Sequence, residues 1–171
     1  MPRYVAFLRG VSPLNAKMPE LKHSFEAAGF RNVRTVLSSG NVIFDAPSSD
    51  EHTLEQCAEE AMAANLGRSF YTIVRTSAHL TELLTSDLYK GHGIPSYAKR
   101  VVSFLREPKQ PRLPLPLAQD HASVFLLAGR EVFTAYVPSD KGPVFMQLIE
   151  RAFGTDVTTR TLDTVARCAA A

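Results

Sequence analysis

No run of apolar residues in this chain approaches the ~20 that a membrane-spanning helix needs. The apolar stretch from Tyr4 to Leu8 is also too short for the centre of a signal peptide, and a strand is expected there instead. Charge of one sign is scarce: 19 Lys and Arg against 17 Asp and Glu leave +2, well short of the basic footprint of a dedicated nucleic-acid binder. Cysteine is scarce too. Cys57 and Cys168 have neither zinc-ligand spacing nor a CxxC pairing. Two reduced, mostly buried thiols in a cytoplasmic protein are therefore expected. His23, His52, His79, His92 and His121 are scattered, with no HxH or HExxH, which argues against a metal site. A GxSxG nucleophile turn, a GxGxxG loop and a P-loop are all missing, so no cofactor is expected.

What is present is the material of a packed fold. Apolar residues make up 45% and charged residues 21%, and 171 residues suffice for one ordinary domain or two small ones. Arg3 to Arg9 predicts a central strand, apolar on both faces. Pro19 suits a helix start; Met18, Leu21, Phe25 and Ala28 repeat at helical spacing, and Gly29 ends the helix with Phe30 folding back on it. Val33 to Ser38 and Asn41 to Phe44 predict a hairpin, turning at Ser38 to Asn41, where Gly40 supplies a positive φ. Ser48 and Glu51 have capping-box spacing before a second helix with Leu54, Cys57, Ala58, Ala61 and Met62 inward, ending at Gly67. Phe70 to Arg75 predicts a strand.

The resulting order, β-α-β-β-α-β, is the split βαβ arrangement of ferredoxin-like folds. Both helices would cover one sheet face and leave the other open for a partner or a second domain. The fold class is therefore α+β: a ferredoxin-like first half, residues 1–76, and a smaller α+β second half, residues 77–171. In the second half, Thr76 or Ser77 caps a helix carrying Leu80, Leu83 and Leu84. Gly91, His92, Gly93 and Pro95 interrupt regular structure, and a strand follows over 100–106. Four prolines make 107–117 an extended connector. A hairpin over 124–127 and 132–137, a helix opened by Pro143, a short edge strand over 157–160 and a last helix capped by Thr161 complete the reading.

Several segments together resemble the DUF1697 family, a bacterial family of unknown function. They are Phe7 to Val11 (Phe-Leu-Arg-Gly-Val), Lys17 to Leu21 (Lys-Met-Pro-Glu-Leu), Gly29 to Thr35, Ser39 to Phe44 (Ser-Gly-Asn-Val-Ile-Phe), Gly129 to Val132 and Thr159 to Val165. The likeness spans essentially the whole chain. Two segments depart from it. Arg9 to Leu14 reads Arg-Gly-Val-Ser-Pro-Leu where the family has Arg-Gly-Ile-Asn-Val-Gly. Arg160 to Val165 reads Arg-Thr-Leu-Asp-Thr-Val where it has Arg-Asn-Trp-Asn-Thr-Val. The resemblance implies a ferredoxin-like α+β architecture and leaves the activity open.

One cluster has a chemical rationale. In this topology Arg9 and Gly10, at the end of the first strand, lie near Ser39, Gly40 and Asn41 at the start of the third, and Lys17 arrives on the loop leaving Arg9. A guanidinium, an ammonium, hydroxyls, an amide and turn N–H groups suit a phosphate or carboxylate. The plainer account stays open, in which Ser39, Gly40 and Asn41 simply make the turn and Arg9 pairs with a local acid. Arg160, and Thr161 at a helix N-terminus, would close a pocket between the halves if these pack together. The alternative for Arg160 is an ion pair joining the halves.

These observations favour a small-ligand (anion) or partner-binding module. A second reading is an enzyme acting on a phosphorylated or carboxylated metabolite, with His92 or Asp163 moving protons. The third, nucleic-acid binding on an RRM-like sheet, is disfavoured. Asn41 and Val42 stand where stacking aromatics are needed, and Arg31, Arg34, Lys99, Arg100 and Arg106 are dispersed among acids.

Overall fold

The strand β1, Arg3–Leu8, is apolar on both faces and lies inside a four-stranded antiparallel sheet, as its composition requires. The computed structural model describes residues 1–171. One compact unit takes in residues 1–82 and 165–171; a second takes in residues 83–164.

In the first unit the order is β1, α1 (Met18–Ala27), β2 (Arg31–Val36), β3 (Asn41–Asp45), α2 (Glu51–Leu66) and β4 (Thr72–Thr76). The strands lie in the order β2-β3-β1-β4, every neighbouring pair antiparallel, so β1 and β3 are central. Tyr4, Ala6 and Leu8 of β1 and Val42 and Phe44 of β3 pack under Leu21 and Phe25 of α1 and Leu54, Ala58 and Met62 of α2. The sequence reading left the opposite face for a partner or a second domain, and Val5, Phe7, Ile43 and Ile73, whose side chains point there, are fully buried. An exposed apolar sheet face of that size would be costly in water.

The helix ends show which local signals prevailed. Gly29, at φ 94°, lets the chain leave α1, and the Phe30 amide donates back to the Phe25 carbonyl at 3.3 Å. Gly67, at φ 71°, ends α2 in the same left-handed way. The expected Ser48–Glu51 capping box does not form. Asp50 is the N-cap, its carboxylate accepting from the Thr53 amide at 2.9 Å, because α2 begins at Glu51 and places Asp50 beside the free first-turn N–H groups.

The strand β4 is an edge strand, and α2 supplies it with acceptors in place of a further strand. The Glu55 carboxylate accepts from the Val74 amide at 2.9 Å, and the Glu59 carboxylate from the Thr72 amide at 3.0 Å. Glu55 and Glu59 are one helical turn apart, and Thr72 and Val74 one strand period apart, so one helix face satisfies one strand edge. Glu55 is only 1% exposed. Glu55→Ala should therefore lower stability by about 1–3 kcal/mol, the cost of leaving a buried N–H unpaired, while Glu55→Gln, which keeps an acceptor, should recover most of it. Urea unfolding together with amide hydrogen exchange at Val74 checks this; unchanged Val74 protection in the alanine variant would refute it.

The chain's far end returns to this unit. The Arg3 guanidinium donates to the Ala171 backbone carbonyl at 2.7 Å and pairs with Asp45 at 3.0 Å. Asp45 also accepts from the Asn32 amide at 2.8 Å, and the hydrogen bond from Arg3 is the main cause holding its carboxyl below the ordinary carboxylate range.

In the rest of the chain α3 (Ser77–Thr85) is capped by Thr76, whose hydroxyl accepts from the His79 amide at 3.1 Å. There follow β5 (Lys99–Leu105), β6 (Leu117–Gln119), β7 (Ala122–Ala128), β8 (Glu131–Tyr136), α4 (Val144–Phe153), β9 (Val157–Thr161) and α5 (Leu162–Ala170). The second sheet runs β6-β7-β8-β5-β9, antiparallel throughout, with β9 at an edge as expected. Leu105, Val124, Val132 and Val157 pack against Leu148, Ile149, Ala152 and Phe153 of α4. The prolines between β5 and β6 leave residues 106–116 without helix or strand. β6 itself was not expected: it is three residues long, squeezed between Pro116 and a two-residue turn.

Candidate functional site

The corner singled out by sequence is assembled by backbone pairing. Phe7 of β1 faces Asn41 of β3, and the Leu8 amide donates to the Gly40 carbonyl at 2.9 Å. The turn differs from the expected two-residue corner. It is a four-residue turn, Leu37 to Gly40, with Leu37 at φ 59° and Gly40 at φ 87°, and Asn41 already lies in β3. Asn41 is fully buried and its amide nitrogen donates to the Val36 carbonyl at 2.9 Å and the Ser39 hydroxyl at 3.0 Å. That pair of bonds ties Asn41 to the end of β2 and to the turn, and the pairing of Val36 with Asn41 leaves four residues between the strands.

Gly40 has a second role. A Cβ there would lie 2.9 Å from Val11 Cβ and 3.0 Å from Leu8 Cβ, so the loop after β1 is packed directly on the turn. Arg9 is half-buried, and its amide donates to the Tyr71 carbonyl at 2.9 Å. Gly10 and Lys17 are exposed, Lys17 as the N-cap residue of α1. Asn15 closes the intervening loop, accepting from the Ser12 amide at 2.9 Å and donating to the Gly10 carbonyl at 2.8 Å. These bonds tie Ser39 and Asn41 into the turn, and Arg9 and Lys17 are the basic residues of the β1–α1 loop that packs on it.

Arg160 and Thr161 lie at the end of β9. Arg160 is nearly buried, its guanidinium donating to the Thr158 hydroxyl at 2.7 Å and the Thr159 carbonyl at 2.9 Å. Thr161 caps α5: its hydroxyl accepts from the Thr164 amide at 3.2 Å and donates to the Thr164 hydroxyl at 2.9 Å. Asp163 is exposed in the first turn of that helix.

The second unit holds a cleft of about 490 Å³ that sequence reading reached at His92 alone. The loop carrying His92, Ile94, Pro95 and Tyr97 forms one part of its lining, and the β6–β7 turn and the end of β8 form the rest. His92 is held by an aromatic chain: its ring centroid is 4.7 Å from that of Phe125, which meets Tyr89 at 5.4 Å, which in turn meets Phe133 at 5.8 Å. The Tyr89 hydroxyl donates to the Val101 carbonyl at 2.7 Å, and burial pushes its pKa far up, so it stays a donor.

The β6–β7 turn consists of Asp120 and His121, both at positive φ, 49° and 67°. Such a turn matches the strand twist but usually recruits Asn or Gly, so Asp-His here holds mild strain at the cleft. The Val137 amide donates to the His121 carbonyl at 2.9 Å and braces it. Asp120 accepts from Lys141 at 3.1 Å and from the Gln119 amide at 3.3 Å; these bonds, Lys141's first, keep its carboxyl below the usual range. The turn dipeptide ahead of the apolar run of β7 was the one local sign of these residues.

With this geometry in view, the model of the protein family of unknown function DUF1697 matches residues 1–133. The chain belongs to the DUF1697 family. A solved structure supports the fold: a conserved bacterial protein from Streptococcus pneumoniae superposes with a TM-score of 0.68 at 16% identity, covering 99% of this chain and 97% of that one. No curated protein matches. The DUF1697 match takes in β1 to β4, the Arg9–Asn41 corner and the part of the cleft running from His92 to Ser123. No helix in this DUF1697 member is long and apolar enough to cross a membrane, and its His, Cys, Asp and Glu residues form no group that could hold a metal ion.

Proposed function

We propose that this DUF1697 protein is a small-ligand-binding module and that the ligand occupies the cleft of residues 83–164. The observation supporting this is the cleft itself, about 490 Å³ of concave space lined by rings, Ile94 and Pro95, with Gln119, Asp120, His121 and Ser123 as polar groups. Clefts of roughly 300–1,000 Å³ with mostly apolar walls and a few placed polar groups are the usual form of a small-molecule site. The turn at Asp120–His121, braced by Val137 and Lys141, presents these groups on a firm hairpin rather than on a free loop.

Amide NMR titration of the full chain tests the reading with three probes of one shape: benzamide, benzoate and benzamidine. At least one should move the Gly93, His121 and Ser123 amides together and saturably, and Ser123→Trp, which fills the cleft, should abolish the effect. If none of the three moves those amides, the proposal fails. Should benzoate instead shift Gly10, Ser39 and Gly40, the anion site is at the Arg9–Lys17 corner, as first read from sequence, and the cleft reading is overturned.

A further inference from the structure

We infer that the cleft selects a neutral, planar aromatic molecule rather than an anion; this rests on the reading just proposed and specifies its ligand class. Planarity follows from the rings. His92, Tyr97, His121 and Tyr136 all line the cleft. Of these, His92 is held by a second ring, against Phe125 at 4.7 Å. A ring set against a neighbouring ring is a preorganised stacking surface, since it has less side-chain freedom to lose on binding. Tyr97 is 74% exposed, a large aromatic left in solvent beside this concave surface.

Neutrality follows from the charges. Neither Lys nor Arg is among the lining residues, and the fixed charge they include is the Asp120 carboxylate. Both of its oxygens are engaged, one by Lys141 and the other by Gln119. An anionic ligand would find no lining Lys or Arg to receive it, and Lys141 is already paired with that carboxylate. A cationic one would find that carboxylate already paired. An uncharged ring with a polar edge meets neither cost and can bond Ser123 or the Gln119 amide.

The same three probes separate this inference from the one beneath it, in buffer at about pH 8, above the usual range of imidazole protonation. Benzamide should bind the cleft amides at least about tenfold more tightly than benzoate or benzamidine, a difference of about 1.4 kcal/mol. Asp120→Asn, which keeps a residue that tolerates positive φ and frees Lys141, should narrow the benzamide-to-benzoate ratio several-fold by improving benzoate more than benzamide. Benzoate or benzamidine binding the cleft as tightly as benzamide would overturn the neutral assignment while leaving the cleft a ligand site. An Asp120→Asn variant that binds benzoate no better would overturn the electrostatic argument. If no probe binds there, the cleft reading itself falls.

Discussion

Phe44→Ala should lower the unfolding free energy by about 3–5 kcal/mol, the range for truncating a large buried aromatic. Phe44 is fully buried in the central strand β3 and is the hub of a ring cluster. Its centroid lies 4.2 Å from that of Phe30, 5.7 Å from Tyr4 and 5.7 Å from Phe25. These neighbours come from three elements: Tyr4 from β1, Phe25 from α1, and Phe30 from the turn that ends α1. No single segment can collapse into the vacated space, so the cavity term adds to the lost transfer free energy. The loss is a large share of the ~5–15 kcal/mol that holds a typical domain. Denaturant unfolding followed by circular dichroism measures it; a change below about 1 kcal/mol would mean that the ring cluster is not the centre of this core.

Gly40→Ala should cost about 2–5 kcal/mol from two separable causes. A side chain at φ 87° is strained by about 1–2 kcal/mol. Overpacking adds about 1–3 kcal/mol, because the new Cβ meets Val11 Cβ at 2.9 Å and Leu8 Cβ at 3.0 Å, atoms fixed to the backbone that no rotamer change can move. Gly10 is the control. It has a similar φ of 81° but nothing within 4 Å of an added Cβ, so Gly10→Ala carries the conformational cost alone. The difference between the two variants' unfolding midpoints isolates the packing of the β1–α1 loop on the β2–β3 turn. Equal midpoints would show that the loop yields.

The element order of the first unit was legible because each signal is local. Two-faced apolarity marks β1, helical spacing from Leu21 to Phe25 marks α1, and Gly29, Gly40 and Gly67 mark the stops where φ turns positive. The misses have local competition as their cause. Ser48 and Asp50 are both good N-caps, and only the start of α2 at Glu51 decides between them. Leu37 gives no hint of a left-handed residue. It sits at φ 59° in a four-residue turn set by the pairing of Val36 with Asn41, which exists only once β2 and β3 are side by side. β6 was hidden because three residues beside a proline carry too little pattern to declare a strand.

Of the two candidate sites, the Arg9–Asn41 corner could be anticipated because antiparallel pairing of β1 with β3 follows from the element order alone. The cleft could not. Its lining comes from residues 92–98, 118–123 and 135–137, and nothing in their local composition says that these stretches meet. Short-range chemistry in the chain was enough to choose strands, helices, most stops and the α+β class, because propensity, periodicity and backbone freedom act over a few residues. Long-range pairing decided the rest: the two-residue turn that carries Asp120 and His121, the rings set against His92 and Tyr136, and the Arg3 bond to Ala171. A concave site with fixed rings and paired charges exists only when chain segments far apart in sequence are held side by side, and that holding is the work of the packed sheet.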